Sequence, residues 1–311
     1  MPSKGRGILN VAKEALPSAL KTAIWLIKIT VIVSLFIVLL RYTGVLFWFS
    51  NLLSPLFNIL GLPGEAALAY VTGYFVNVYS AIAVITTLSL DARAVTILSV
   101  MVLCSHNMIT ETSVQKKTGS SVIRIVVIRT LSAFILGVTL NRLLPGEMVQ
   151  ASASLVFHQE SLKELLTLWF WSTLKVVVTM TTLIFSLVVV QRLLSEYGVI
   201  RWIAKFLRPL MHFFGLPAKT AFLWIVANTL GLSYGAAIIL EEAERGKISQ
   251  KDADLLNHHI CVSHSNLEDV MLLGAIGGMV WWLILSRWAM SLLLAWELRV
   301  ERWLTSSGEV N

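Results

Sequence analysis

The second half of this sequence repeats the first. Shifted by 154 residues, positions 39–63 match 193–217 at 11 of 25 places, including Gly44 with Gly198, Trp48 with Trp202 and Pro55 with Pro209. Gly61-Leu62-Pro63 falls on Gly215-Leu216-Pro217 in the same register. An insertion near 245–249 lengthens the shift to 158, and Ser105-His106 then meets Ser263-His264, Glu111 meets Asp269, Gly119 meets Gly277 and Arg129 meets Arg287. Shared apolar composition would pair Leu with Val at random. It would not bring Pro, His and Arg into line in order, so the chain is read as two copies of one unit.

That unit is built for a membrane. The chain is 56% hydrophobic and 14% charged, against roughly a quarter charged in soluble domains. Each half carries a long apolar helix, about 18–40 and 168–191, then an amphipathic stretch, 44–60 and 198–214. After Gly-Leu-Pro comes an apolar segment with a polar, Gly-containing middle, 63–88 and 217–240. The helix bearing the Ser-His motif spans about 94–115 and 253–272, and a closing helix spans 121–142 and 279–298. The expected division is a cytoplasmic tail 1–17, repeat 1 at 18–145, a linker 146–166, repeat 2 at 167–300 and a tail 301–311. The first apolar run is too long for a cleaved signal peptide and has no small-residue cleavage site. The net charge of +7 comes from Lys and Arg at segment ends, which points to a lipid bilayer as partner and not to nucleic acid. Trp25, Trp48, Trp169, Trp171, Trp202, Trp281, Trp288 and Trp303 suit interfacial belts. Cys104 and Cys261 fall inside spans and read as packing residues rather than a disulfide framework.

Basic residues set the orientation. Between the first helix and Gly-Leu-Pro, repeat 1 has only Arg41, whereas repeat 2 has Arg192, Arg201, Lys205 and Arg208. After the Ser-His helix the bias reverses: Lys116, Lys117 and Arg124 in repeat 1, and none in Gly274-Ala275-Ile276-Gly277-Gly278. Equivalent loops of opposite bias belong on opposite sides of the membrane. The repeats are therefore expected to be inverted, which needs an odd number of crossings in each. The segments 63–88 and 217–240 are expected not to cross, because broken helices at membrane depth line cavities. The expected fold is an all-α integral membrane protein with two inverted-topology repeats, about six crossing helices and two re-entrant hairpins, both termini cytoplasmic. The alternative is eight crossing helices with parallel repeats.

Polar groups inside such segments are costly and mark function by default. His106 and His264, with Asn107 and Asn266 beside them, are expected near the pseudo-two-fold axis, where a His can bind a ligand oxygen or move a proton. A buried Arg needs an acid, so Glu111 is expected to pair with Arg129 and Asp269 with Arg287, as brace or gate. Asn77, Tyr79, Asn228, Ser233 and Tyr234 stand at the hairpin tips, either lining a solute site or satisfying broken backbone. A metal reading of His258, His259, His264, Glu268 and Asp269 finds no established ligand spacing, so no metal is assigned. Lys21, Lys28 and Lys175 read as snorkelling side chains. The mixed-sign run 241–252 reads as a solvated loop with Ser249 capping the next helix.

Gly61-Leu62-Pro63, Gly73 through Ile82, Ser105-His106-Asn107 through Glu111, Lys117-Thr118-Gly119 and Arg129 together resemble the Gate, or nucleoside-recognition, domain. Proteins with this domain include concentrative nucleoside transporters, spore maturation proteins A and B, and B-type ferrous-iron transporters. The resemblance covers roughly 45–145 and, more weakly, 200–300, and is greatest to small stand-alone double-Gate proteins. It implies a bundle of inverted repeats with hairpins. Val76 and Tyr79 stand where the iron transporters carry Cys and Pro, and nothing matches a P-loop.

These features lead to a transporter or permease for a small polar solute, nucleoside-like or another organic molecule, in the cell (inner) membrane. Its site would lie at the repeat interface near the midplane. Protons or sodium would supply any coupling ion, and no other cofactor is implied. A non-transporting membrane partner or scaffold subunit is the alternative, and metal-ion transport ranks lower. No nucleophile motif points to an enzyme. Related transporters suggest a homo-oligomer.

Overall fold

The computed structural model describes residues 8–145 and 161–308, and every regular element among them is helical. Repeat 1 comprises α1 (Ile8–Tyr42), α2 (Val45–Ile59), α3 (Ala66–Phe75), α4 (Val78–Ile85), α5 (Ala92–Ser105), α6 (Met108–Lys117) and α7 (Val122–Leu143). Repeat 2 comprises α8 (Leu162–Glu196), α9 (Val199–Phe206), α10 (Arg208–Phe213), α11 (Ala221–Leu230), α12 (Leu232–Glu244), α13 (Gln250–Ser263), α14 (Asp269–Ala275) and α15 (Val280–Gly308). By length and composition, Ala92–Lys117, Val122–Leu143 and Leu162–Glu196 are each apolar enough to cross a membrane. Large apolar side chains such as Ile32, Trp48, Trp171, Trp202, Leu168 and Trp281 face outward, as a lipid-bathed surface requires. This is an all-α membrane protein.

The sequence repeat is a structural repeat. The matched glycines Gly44 and Gly198 both take left-handed φ, at 78° and 69°, and so do Gly61 and Gly215, at 67° and 72°. These are conformations in which a Cβ is strained, so the turns before and after the amphipathic helices recur in both halves. Equivalent helices run antiparallel. In α1 and α8, Glu14 near one start pairs with Arg192 near the other end, while Trp169 Nε1–H donates to Ser34 Oγ at 2.9 Å further along. The end of α6 meets the start of α13 through Ser120 and Asp254, and the residue before α15 meets the start of α5 through the Met279 N–H and Thr96 Oγ1. Arg124 at the start of α7 pairs with Glu297 and Glu301 late in α15. This is the arrangement of inverted repeats.

Both interrupted segments fold back on themselves. A Cβ on Gly73 would lie 3.1 Å from the Ala81 Cβ, and one on Gly235 would lie 2.9 Å from the Ala227 Cβ. Residues eight apart on a continuous helix are separated by about 12 Å, so α3 with α4 and α11 with α12 are hairpins. Arms of 10 and 8 residues in the first hairpin reach only about 15 and 12 Å, too little for a hydrocarbon core of about 30 Å.

Some boundaries differ from expectation. Helix α1 is already formed at Ile8, α8 starts at Leu162, and α15 continues to Gly308 through the expected tail. The stretches 1–7 and 146–160, which include much of the expected tail and linker, lie outside the described residues. Ser249 caps α13 as expected, in a reciprocal capping box with Asp252. Partial burial pushes the Asp252 carboxyl up, but hydrogen bonds from Lys219 and Ser249 outweigh it and hold it below the usual carboxylate range.

The antiparallel arrangement carries a direct prediction. Lys117 and Ala275 are both exposed, at the equivalent ends of α6 and α14. In oriented membranes, Lys117→Cys and Ala275→Cys are expected to react with an impermeant maleimide from opposite sides. Cys104 and Cys261 are buried and give little background. Labelling of both positions from one side would contradict inverted crossings.

Candidate functional site

The sequence suggests continuous helices through the two Ser-His motifs. In the structure both break immediately after the His. His106 and His264 leave the helix with ψ of 158° and 172°, and Asn107 and Ser265 take left-handed φ of 49° and 57°. Asn visits this region more readily than most residues, and Ser gains no such ease, so the breaks need support from outside the segment. The hairpins provide it. The Asn107 N–H donates to the Gly73 carbonyl at 2.9 Å, and the Ser265 N–H to the Ala227 carbonyl at 3.1 Å. Gly73 and Ala227 are themselves equivalent under the 154-residue shift.

The two arginines complete each break. Arg129 donates from Nε to the Cys104 carbonyl at 2.9 Å and from Nη2 to the His106 carbonyl at 2.8 Å. Arg287 donates from Nη1 to the equivalent carbonyls, Val262 at 3.3 Å and His264 at 3.0 Å. Each guanidinium thus caps the negative end of a half-helix whose last carbonyls have no helical partner. Both arginines are fully buried. The acids sit in the first turns of the opposite half-helices, Glu111 in α6 and Asp269 in α14, where the positive helix end favours them.

The symmetry stops at the acid–guanidinium pairs. Arg129 Nη2 reaches Glu111 Oε2 at 2.7 Å, as expected within one repeat. Asp269 does not pair with Arg287. Repeat 2 places Asn266 closer, and its Oδ1 accepts from Arg287 Nη2 at 2.5 Å. Asp269 Oδ2 instead stands 3.5 Å from His106 Nε2, across the repeat interface. Glu111 Oε1, left free by Arg129, faces both imidazoles, at 3.2 Å from His106 Nε2 and 3.3 Å from His264 Nε2. The imidazole centroids are 5.1 Å apart. His106, His264, Glu111 and Asp269 therefore form one buried cluster drawn from both repeats.

The hairpin residues divide between roles. Asn77 caps α4, its Oδ1 accepting from the Ser80 backbone N–H at 2.9 Å; it satisfies broken backbone. Asn228 donates to the Trp224 carbonyl at 2.8 Å and accepts from Asn266 at 2.5 Å, which ties hairpin 2 to Arg287. Tyr79 reaches across to Glu268 of the other repeat through its hydroxyl. Ser233 and Tyr234 belong to α12, and their side chains lie outside the described residues. His258 and His259 turn away from the cluster. The His259 ring packs against Phe214 and Trp224 and accepts from Trp224 Nε1–H at 3.2 Å, while His258 is held by Asp254. Trp288 points into the same aromatic group rather than an interfacial belt.

Sequence reasoning passed over Gln191 and undervalued Glu268. Gln191 Nε2 donates to the Thr229 carbonyl at 2.9 Å and to Glu268 Oε2 at 3.4 Å. A Gln near the end of a long apolar helix reads as a boundary residue, and only the folded hairpin supplies its partner.

Residues 23–139 match the Gate family, described as nucleoside recognition. The uncharacterized membrane protein YvoD of Bacillus subtilis (strain 168) is 28% identical over 275 residues, covering 86% of this chain and 87% of that protein. No solved structure matches.

Proposed function

We propose, from the premise that residues 23–139 are a Gate domain, that the chain is a membrane permease for a small polar organic solute of nucleoside-like size. A membrane transport role is what the family and the related membrane protein support. The observation that carries the finer reading is the meeting of four chain breaks at one interface. Two hairpins abut two broken helices around a buried cluster of His106, His264, Glu111 and Asp269. Discontinuous helices bring helix ends and polar side chains to mid-bundle, where a polar solute can meet them. Tyr79, Asn228 and Asn266 link the hairpins to the broken helices beside the cluster.

Orientation follows from the ends that the fold brings together. The starts of α1, α7 and α13 share one end of the bundle with the finishes of α8, α6 and α15. That end gathers Lys13, Lys116, Lys117, Arg124, Arg192, Lys251, Arg299 and Arg302, which supports a cytoplasmic placement for it and for both termini.

Uptake of labelled nucleosides and other small polar solutes into proteoliposomes tests the reading. The wild-type chain is expected to carry at least one of them, and His106→Ala and His264→Ala to lower the flux by about 10-fold or more, since each removes a buried polar contact worth more than 1.4 kcal/mol. No uptake across the panel, together with a membrane protein that co-purifies stoichiometrically, would replace the permease with a partner-subunit role.

A further inference from the structure

Three atoms with lone pairs converge where the repeats meet: His106 Nε2, His264 Nε2 and Glu111 Oε1, all within 4.8 Å of one another. The other nitrogen of each ring fixes what these atoms are. His106 Nδ1 lies 3.2 Å from the Val102 carbonyl and His264 Nδ1 lies 2.8 Å from the Ile260 carbonyl. A carbonyl only accepts, so each Nδ1 carries a hydrogen, and each Nε2 beside the carboxylate is the atom that binds either a second proton or another cation. Acceptor atoms this close in a buried site need a cation between them, either a proton on each ring or one metal ion shared by all three. A ring N–H held by a backbone carbonyl, with the opposite nitrogen free, is also how metal-ligating histidines are oriented.

The spacing fits such a cation. A tetrahedral zinc site with bonds of about 2.0–2.2 Å has ligand-to-ligand edges of about 3.3–3.6 Å. The His106–Glu111 and His264–Glu111 edges are 3.2 and 3.3 Å, and Asp269 Oδ2 adds a 3.5 Å edge to His106. The edge between the two ring nitrogens does not exceed 4.8 Å; Asp269 lies outside that three-residue group, so its closing as fourth ligand, like the shortening of the nitrogen edge, takes a side-chain movement when the ion binds. Glu111 and Asp269 bring the negative charge to the ion, with Glu111 shared between it and Arg129, whose other donors go to the half-helix carbonyls.

We propose that His106, His264 and Glu111, with Asp269 as fourth ligand, bind a divalent transition-metal ion of the zinc class across the repeat interface. The ligands come from both halves, so the ion ties α5 and α6 to α13 and α14 at the level of their breaks. The inference rests on the reading of this interface as the functional site. It uses none of the Cys or Pro positions by which the ferrous-iron transporters are identified.

Co²⁺ and Zn²⁺ binding to the full-length, untagged protein in detergent, stripped beforehand with chelator, tests it. The expected result is a near-equimolar metal content and the intense visible bands of four-coordinate Co²⁺, abolished by added Zn²⁺. His106→Ala, His264→Gln and Glu111→Gln are each expected to weaken Zn²⁺ binding by more than the 10- to 100-fold typical of outer-shell partners. His212→Ala, at an exposed position, should leave it unchanged. Absence of the Co²⁺ bands in the wild-type protein overturns the proposal even where the variants fail to fold, and so does Zn²⁺ binding that survives the His106→Ala/His264→Gln double change. Solute flux in metal-free buffer reports on the permease separately, so either reading can fail alone.

Discussion

Arg129→Leu is expected to destabilise the protein by about 3–5 kcal/mol, the range for breaking a buried ion pair from one side. The change strands Glu111, whose Oε2 loses its 2.7 Å partner, and frees the carbonyls of Cys104 and His106 at the end of α5. Each of these is a buried acceptor without water to replace the lost donor. Arg129→Lys should recover only part of the loss, because one ammonium cannot span the three acceptors that the guanidinium fork reaches. The pair Arg129→Leu/Glu111→Leu should be less damaging than Arg129→Leu alone, since no charge is then left unpaired. Arg287→Leu should cost less than Arg129→Leu, because its nearest side-chain partner is the neutral Asn266. Arg124→Ala, in a more exposed pair with Glu297 and Glu301, should stay within about 1 kcal/mol. Thermal unfolding of the detergent-solubilised variants, followed by retention of the monodisperse peak, gives the ranking. An Arg129→Leu variant as stable as Arg124→Ala would show that the guanidinium is not what holds the break.

This ranking also shows where the sequence was readable. The two repeats, the hairpins and their inversion follow from residues whose meaning is local or statistical: Gly-Leu-Pro turns, Gly in the hairpins, and Lys and Arg at loop ends. The breaks after His106 and His264 do not. Neither Ser105-His106-Asn107 nor Ser263-His264-Ser265 contains the Pro or Gly that punctuates a helix. Helix continuation there loses to three tertiary contacts, namely a hairpin carbonyl and two guanidinium bonds, none of them adjacent in sequence. The same blindness produced the mistaken Asp269–Arg287 pair. Matching Asp269 to Glu111 by register is correct, but Asn266 stands where repeat 1 has the apolar Met108, and it takes the guanidinium first. Asp269 is thereby released toward His106. The asymmetry of the cluster, with Glu111 serving both imidazoles, goes with that substitution and with the shorter acid, Asp269, that repeat 2 carries in place of Glu111.

Gly235→Val is expected to open the second hairpin, at the upper end of the roughly 1–3 kcal/mol range for overpacking. The arms of both hairpins cross at equivalent points, and each crossing pairs one glycine with one alanine. Repeat 1 puts the glycine on the first arm, Gly73 against Ala81, and repeat 2 puts it on the second, Gly235 against Ala227. A Cβ on Gly235 would lie 2.9 Å from the Ala227 Cβ and 3.0 Å from its Cα, so part of the obstruction is backbone that cannot rotate away. The two repeats have thus met one steric demand by opposite choices, and the demand is for one missing methyl at the crossing rather than for a glycine at a fixed position. Gly235→Ala should be destabilising alone, and Gly235→Ala/Ala227→Gly should recover most of the loss. The effect should also reach the site, because the Ala227 carbonyl accepts from the Ser265 N–H and the Asn228 carbonyl from the Leu267 N–H. Splayed arms withdraw both acceptors from the break beside His264. Melting temperatures of the three variants test the packing, and hydrogen exchange at Ser265 and Leu267 tests the link. A swap no better than Gly235→Ala alone, or unchanged exchange at both amides in Gly235→Val, would mean that hairpin closure and the helix break are independent.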